Sequence, residues 1–334
     1  MVRAFRRVRQ CATSLADSNG RRRRQIKQES LMNITADAVK QLRERTGAGM
    51  MECKKALVET SGDLDAAAEL MRKQGLAKAD KKAARVAAEG VIVIGKSADA
   101  HAASMVEINC ETDFVAREHD FRGFAHAVAA RALAVRPDSL DALLATKVAE
   151  TAAETIEERR RTLVAKIGEN ITVRRFVVLS SPGHLGAYVH GTRIGALVVL
   201  QGGDAALAHD LAMHVAASNP RHRSPADVPP DVIAKEREIL TEQAQSEGKP
   251  PQIVAKMVEG RLRKALGEIT LTGQPFVKDP DVTIEKLLKG AKAEVVAFER
   301  FEVGAGIEKK QDDFVAEVMA QVKGATPAKG SVRH

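Results

Sequence analysis

One short segment combines side chains that could act on another protein. Residues 109–115 read Asn-Cys-Glu-Thr-Asp-Phe-Val and follow the apolar run 105–108, which predicts a turn between a strand and a helix. An exposed tip would present the ring of Phe114 beside the carboxylate of Asp113, a pair suited to opening a packed site on a partner. The same spacing also fits a structural role, in which Thr112 caps the helix and Phe114 anchors the core.

The sequence offers little for bond-making catalysis. We expect no phosphate-binding loop, no dinucleotide fingerprint and no HExxH zinc motif. His209 and His214 are five residues apart on a predicted helix, which is poor geometry for joint metal ligation. Glu157 and Glu158 are adjacent and would point in different directions, so they do not form an acid–base pair. We therefore expect no cofactor, no bound metal and no enzymatic activity.

Length and composition limit the class of protein. With 334 residues, 44% hydrophobic and 29% charged, the chain can bury a sizeable core in two or three domains. No apolar run approaches the roughly 20 residues of a membrane span, so we expect no membrane association. Cys11, Cys53 and Cys110 are scattered, which argues against a disulfide framework or a zinc site and favours a reducing compartment, the cytoplasm.

The positive charge is concentrated in the first 31 residues. They hold nine basic and two acidic side chains and thus carry +7 of the net +8. The remaining chain is nearly neutral and has no Trp and a single Tyr, which argues against direct nucleic-acid binding by the folded body. A rival interpretation is a ribosome- or RNA-associated protein that uses Arg21, Arg22, Arg23 and Arg24.

The leader itself has three interpretations. Residues 1–31 lack the apolar stretch of a secretory signal, but they are rich in Arg and poor in acidic residues, as mitochondrial transit peptides are. The alternatives are a disordered, solvated tail and a start codon assigned too early, with Met32 as the true start. We exclude these residues from the fold prediction.

Helical and β-rich segments alternate along the rest of the chain. Three short helices are expected in residues 33–76, with the third ending at Gly75, followed by a helical linker over 78–88. Strands are expected at 91–94, 105–108, 173–179, 186–189, 194–200 and 294–303, and helices at 121–135, 140–165 and 204–218. Two amphipathic helices on either side of residues 246–251 predict an antiparallel hairpin, and a last amphipathic helix contains Phe314, Val315, Val318, Met319 and Val322. This order predicts an α+β fold.

Five motifs of this chain resemble the bacterial form of the translation elongation factor Ts family. They are TGAGMMECKKAL at 46–57, VEINCETDFVAR at 106–117, HGTRIG at 190–195, HVAAS at 214–218 and LTGQPFV at 271–277. The match is collinear over about residues 32–324. The resemblance implies a guanine-nucleotide exchange factor that binds elongation factor Tu with GDP and promotes GDP release.

The resemblance also implies a division of the chain. Residues 1–31 are an extension, 32–85 form an N-terminal three-helix bundle of the ubiquitin-associated type, and a two-part α+β core comprises 86–170 and then 171–224 with 261–304. Residues 225–260 are an inserted helical hairpin, a coiled coil used for homodimerisation in some members, and 305–334 form a C-terminal module with a helix.

Functional positions carry over from the family residue by residue. Thr112, Asp113, Phe114 and Val115 match the stretch that displaces the partner's Mg²⁺. Lys40, Arg43, Met50, Met51 and His190 match partner-binding positions. Met50 and Met51 fit the core of the bundle equally well, and Asp113 fits a role in capping the loop as well as an electrostatic one.

Overall fold

The computed structural model describes residues 34–246 and 250–308, with only the backbone for 76–80. Its α-helices are α1 (Ala36–Thr46), α2 (Met50–Glu59), α3 (Leu64–Lys82), α4 (Asp113–Arg117), α5 (His119–Val135), α6 (Leu140–Ala145), α7 (Ile156–Ile167), α8 (Ala205–Ser218), α9 (Pro230–Ser246), α10 (Pro251–Ile269) and α11 (Ile284–Gly290). Its strands are β1 (Glu89–Lys96), β2 (Ala102–Cys110), β3 (Ile171–Ser180), β4 (His184–His190), β5 (Ile194–Gln201), β6 (Pro275–Phe276), β7 (Asp279–Thr283) and β8 (Glu294–Glu302). The predicted α+β class is confirmed.

Two three-stranded antiparallel sheets form the core, in the orders β1-β2-β3 and β4-β5-β8. Side chains alternate between the two faces of each strand. On β2, Val106 and Ile108 pack under α5, whereas Ala103 and Met105 face the other sheet together with Leu197 of β5. The two sheets therefore pack face to face, with α5 covering one outer face and α8 the other.

The third strand joins the first sheet. β3 pairs with β2 along its length, from Ile171 opposite Cys110 to Ser180 opposite Ala102. The expected division at residue 170 assigned this segment to the second half of the core, and for β3 that assignment is wrong. Val173 completes the buried layer under α5, so the first sheet ends only at Ser180.

The N-terminal bundle has three helices, as predicted. Val39, Leu42, Cys53 and Leu57 are buried between them, and Thr35 and Gly47 cap α1 as expected. The expected end of the third helix at Gly75 is wrong, since α3 continues to Lys82, and no helix continues over 83–88. Packing of α3 against α7 overrides the low helix propensity of glycine at this point.

The helix expected over 140–165 is two helices. α6 ends at Ala145, and α7 begins at Ile156 after Thr155, whose side chain accepts from the Glu158 N–H while the Glu158 carboxylate accepts from the Thr155 N–H. The sequence carries this capping box as Thr155-x-x-Glu158, a signal for a new helix start.

The helical hairpin is confirmed. Leu240 and Ala244 of α9 face Val254, Val258 and Leu262 of α10, so the apolar stripes of the two helices bury each other. α10 continues beyond residue 260 to Ile269, where it leads back into the second sheet's layer through Leu271.

A buried ionic cluster, the Glu107 junction, ties the first sheet to the end of β8. Glu107 is fully buried between the sheets and accepts from Arg174 at 2.9 Å, Arg175 at 2.6 Å and the Gly304 N–H at 2.8 Å. A β-bulge opposite Glu107 brings the two consecutive arginines to one carboxylate. Burial acts to raise the pKa of Glu107, but these three donors outweigh it and hold the pKa below its ordinary value.

Gly304 marks where the chain leaves the core. Its φ of +73° lies in the left-handed region, and a Cβ there would lie 2.3 Å from the carbonyl oxygen of Ala88. Only glycine can occupy this position without displacing the backbone that enters β1. The start and the end of the core therefore touch.

Two expectations lie outside the described residues. They are the leader at 1–31 and the C-terminal helix containing Phe314 and Val322, which belongs to the expected module at 305–334. Within 34–246 and 250–308, no helix combines the length and apolar character needed to cross a membrane.

Candidate functional site

The Phe114 turn, residues 111–115, comprises the two residues after β2 and the first three residues of the short helix α4. Thr112 is the N-cap of α4, and its hydroxyl accepts from the Val115 N–H at 3.4 Å. Val115 points into the core beneath α5 and is 6% exposed. The capping role expected for Thr112 is thus present, and Val115 anchors the turn.

Phe114 lies on the outside of this turn. Its residue surface is 77% exposed, the largest exposure among the large apolar residues of the described chain. The interpretation of Phe114 as a core anchor is therefore wrong, because its neighbour Val115 has that position. Exposing a phenylalanine forgoes about 1.5–3 kcal/mol of burial free energy, so this ring is free to be buried by a partner.

Two carboxylates fix the backbone around Phe114. Glu169 accepts from the Thr112 N–H at 3.0 Å and from the Thr112 hydroxyl at 2.8 Å. Glu111 accepts from the Asn170 N–H at 2.6 Å and forms an ion pair with Arg85. Sequence reasoning missed Glu169 and Asn170, since they lie almost 60 residues away from the turn they hold and no local pattern marks them.

The surroundings of Asp113 and Cys110 reduce the charge of the first and the reactivity of the second. Asp113 pairs with Arg117 one helical turn away at 2.8 Å; the Arg117 side chain is largely exposed and that of Asp113 about half exposed. This pairing partly neutralises the carboxylate and orients it along α4. Burial and nearby carboxylates raise the pKa of Cys110 to about 12, so its thiol stays protonated and unreactive.

The four partner-binding candidates of the bundle are all exposed. Lys40 and Arg43 lie on α1, while Met50 and Met51 begin α2 and are 45% and 76% exposed. The interpretation of the two methionines as core residues is therefore wrong, because Cys53, Ala56 and Leu57 fill that side of α2.

A groove of about 780 Å³ runs between the bundle and α7, and Met51 lies on its wall. The groove is rich in basic side chains, namely Arg45, Lys54, Lys55, Arg72, Arg161 and Lys166. Methionine adapts its shape to different apolar partners. Arg45, Arg161 and Lys166 already pair with carboxylates of this chain, namely Asp65, Glu157 and Asp120. The sequence pattern did not reveal this groove, since α7 begins about 100 residues after α2 ends.

The histidines fall into two kinds. His190 is exposed at the end of β4, where its Nδ1 lies 3.2 Å from the hydroxyl of Tyr188. His214 is fully buried, with Nδ1 accepting from the Val277 N–H, so its Nε2–H donates to Gln274. Burial lowers the pKa of His214 and keeps this ring neutral. Among the described residues, no group of His, Cys, Asp and Glu could hold a metal ion.

The sequence contains one match to the motif of a phosphate-binding loop. Residues 90–97 match GxxxxGK[ST], contrary to the expectation above. They form β1 and the start of its turn to β2, and the strand pairs with β2 from Glu89 to Lys96. Because a phosphate-binding loop needs free N–H groups at the start of a helix, this segment is not one.

A family model described as "Elongation factor TS" matches residues 111–305, which include the Phe114 turn. Curated relatives named elongation factor Ts align with most of the chain. The protein of Methylococcus capsulatus is 61% identical over 293 residues, covering 87% of this chain and 99% of its own. That of Alkalilimnicola ehrlichii is 59% identical over 295 residues, covering 88% and 100%. That of Legionella pneumophila is 54% identical over 293 residues, covering 88% and 100%.

Proposed function

Because this chain belongs to the elongation factor Ts family, we propose that it is the guanine-nucleotide exchange factor of elongation factor Tu. Its role lies in translation elongation. It binds the GDP form of the GTPase and promotes GDP release by disturbing the partner's Mg²⁺ and phosphate site, so that GTP can bind. It makes and breaks no covalent bonds, and it acts in the cytoplasm without binding nucleic acid through its folded body.

The observation that carries this proposal is the exposure of Phe114 on a braced turn. The ring is 77% exposed, while Val115 and the Glu169 carboxylate hold the backbone on either side of it. A rigidly held apolar side chain loses little conformational entropy when it enters a pocket. A ring on a rigid turn is therefore better suited to act as a wedge than a ring on a flexible loop.

Exchange needs only a difference in binding between two states of the partner. By linkage, a factor that prefers the nucleotide-free form weakens nucleotide binding to the same extent. Weakening by about 1000-fold needs about 4 kcal/mol of preferential contact. Burial of the Phe114 ring supplies roughly 1.5–3 kcal/mol, so other contacts must contribute the rest.

Those other contacts are assigned to the N-terminal bundle and the end of β4. In this proposal Lys40, Arg43, Met50 and Met51 bind the GTPase domain, and His190 touches the partner near the core. The domain division, with a bundle of the ubiquitin-associated type, a two-part core whose first part now includes β3, and a C-terminal module, is part of the same proposal. Exposed Val232, Ile239 and Ile253 on the helical hairpin favour its use in homodimerisation.

The decisive experiment is stopped-flow release of fluorescent GDP from elongation factor Tu. We expect Phe114→Ala to slow the stimulated release at least about tenfold, equivalent to ~1.4 kcal/mol. Its thermal melt should stay near that of the wild type, because the ring contributes little to the core. Val135→Ala, which truncates an exposed side chain at the end of α5, serves as the control and should release GDP at the wild-type rate. Wild-type release by Phe114→Ala would refute the wedge.

A further inference from the structure

The turn between α7 and β3 holds the segment that leads out of the N-terminal bundle. This turn comprises residues 168–170. Lys82, the last residue of α3, donates to the carbonyl oxygen of Gly168. Asn170 is 4% exposed, and its Nδ2 donates to two carbonyl oxygens of the segment 83–85, at 3.3 and 2.7 Å. The path from bundle to core is therefore tied to this turn at several points.

The same turn holds the Phe114 turn from the other side. Glu169 binds both the N–H and the hydroxyl of Thr112, and the Asn170 N–H binds the Glu111 carboxylate. Hydrogen bonds to a carboxylate are among the stronger ones in proteins. Residues 168–170 thus connect the bundle's exit segment directly to the turn that carries Phe114.

Helix packing adds a second connection between these regions. A Cβ at Gly75 of α3 would lie 3.0 Å from the Cβ of Ala165 on α7, so the two helices pack closely. α7 then ends at Gly168, whose φ of +90° turns the chain into Glu169. A shift of the bundle against α7 would act on the same three residues that hold Thr112.

We propose that Glu169 and Asn170 are positioning residues that fix the Phe114 turn relative to the N-terminal bundle. This inference rests on the proposed function. Docking of the bundle on the GTPase then aims the Phe114 ring at the partner's nucleotide site. A wedge acts only in the correct orientation, and a misplacement of about 1 Å can cost two orders of magnitude in rate.

The test uses the full chain and measures GDP release from elongation factor Tu over a range of factor concentrations. For Glu169→Ala we expect the maximum release rate to fall about tenfold, while the half-saturating concentration changes less than about threefold. The docking surfaces stay intact, whereas the Thr112 donors lose their acceptor. Asn170→Ala should show the same split, and Glu150→Ala, which removes an exposed carboxylate near α7, should behave as wild type.

Glu169→Gln is the conservative variant. Its amide oxygen can still accept from the Thr112 N–H, and its NH₂ can donate to the Thr112 hydroxyl oxygen. We therefore expect partial rescue, with a maximum rate only about threefold below wild type. If Glu169→Ala does not fold, this variant and Asn170→Ala carry the test, and wild-type maximum rates for both would overturn the inference.

The outcomes separate this inference from the proposed function. Slow release by Phe114→Ala with wild-type release by Glu169→Ala would overturn the positioning role and leave the wedge intact. Wild-type release by Phe114→Ala would overturn the wedge and the positioning role with it. The maximum release rate of Glu169→Ala could instead fall together with its melting temperature, or the half-saturating concentration could change as much as the rate. Either result would make Glu169 a structural residue only and overturn the inference.

Discussion

The Glu107 junction and the Phe114 turn lie within a few residues of each other along β2 and its exit, yet they treat their side chains in opposite ways. The junction buries a charge completely and surrounds it with three donors from distant segments. The turn instead leaves a large apolar ring in solvent while bracing the backbone beneath it. Both arrangements depart from the usual distribution of charged residues outside and apolar residues inside.

The difference between them separates stability from recognition. A buried carboxylate with every bond satisfied needs nothing from outside the chain, so its role is internal. An exposed phenylalanine gains free energy only when something else covers it, so its role is external. Neutralising the first should therefore change folding, and truncating the second should change the interaction with a partner.

Glu107→Gln should give the largest effect. It removes the charge of a fully buried carboxylate and leaves two partly exposed arginines without their counter-charge, and we expect a loss of about 3–5 kcal/mol in the free energy of unfolding, measured by urea denaturation. Glu294→Gln, an exposed carboxylate on β8, is the control and should lie within about 0.5 kcal/mol of wild type. A loss below about 1 kcal/mol for Glu107→Gln would mean that the junction contributes little to folding.

The same variant makes a pH prediction. Because the pKa of Glu107 is lowered in the folded state, its contribution to stability is present above its ordinary value of 4.5 and is lost as the pH falls through the folded value. The stability difference between wild type and Glu107→Gln should therefore shrink below about pH 4.5. A difference that stays constant down to the acid transition would contradict this sign.

The next largest effect on folding stability is expected for Val115, the neighbour of Phe114 in the turn. Val115→Ala should cost roughly 2 kcal/mol of folding stability, since its side chain is buried under α5. Phe114→Ala should cost less than about 0.5 kcal/mol although it removes more atoms. Thermal melts of both variants test this order. The reverse order would indicate that the Phe114 side chain packs in the core.

Asp113→Asn should give the smallest effect. Its carboxylate already pairs with Arg117 on an exposed helix face, and such pairs contribute about 0.2–1 kcal/mol. We expect stability and GDP release within about twofold of wild type, equivalent to ~0.4 kcal/mol. A fall in release comparable to that of Phe114→Ala would assign the carboxylate a direct electrostatic role in exchange.

Local patterns of the sequence predicted much of the fold. Helix caps such as Thr35 and Gly47, the β-rich runs within β1 and β2, and the apolar stripes of the helical hairpin could be predicted, because each depends on residues close in sequence. The errors at Gly75 and at β3 have another cause. Packing of α3 on α7 and pairing of β3 with β2 involve segments about 60–90 residues apart, which local propensity does not encode.

The candidate site, like the fold, was only partly predictable from local sequence. Residue types picked out the segment around Phe114, but its spacing left the ring's exposure open until the position of Val115 in the core was known. Glu169, Asn170 and the basic groove beside Met51 had no signal in their own neighbourhoods. Each arises where two distant segments meet, so only the tertiary structure reveals it.

The contact between Gly304 and Ala88 has a consequence for how the chain can be rearranged. Since the core begins and ends at adjacent points, residues 88–304 form a nearly closed circuit. The N-terminal bundle precedes this circuit and residues 305–308 follow it, so the chain enters and leaves the core at the same place on its surface. Joined termini of this kind tolerate circular permutation and module exchange, because a short linker can close the gap without stretching the sheets.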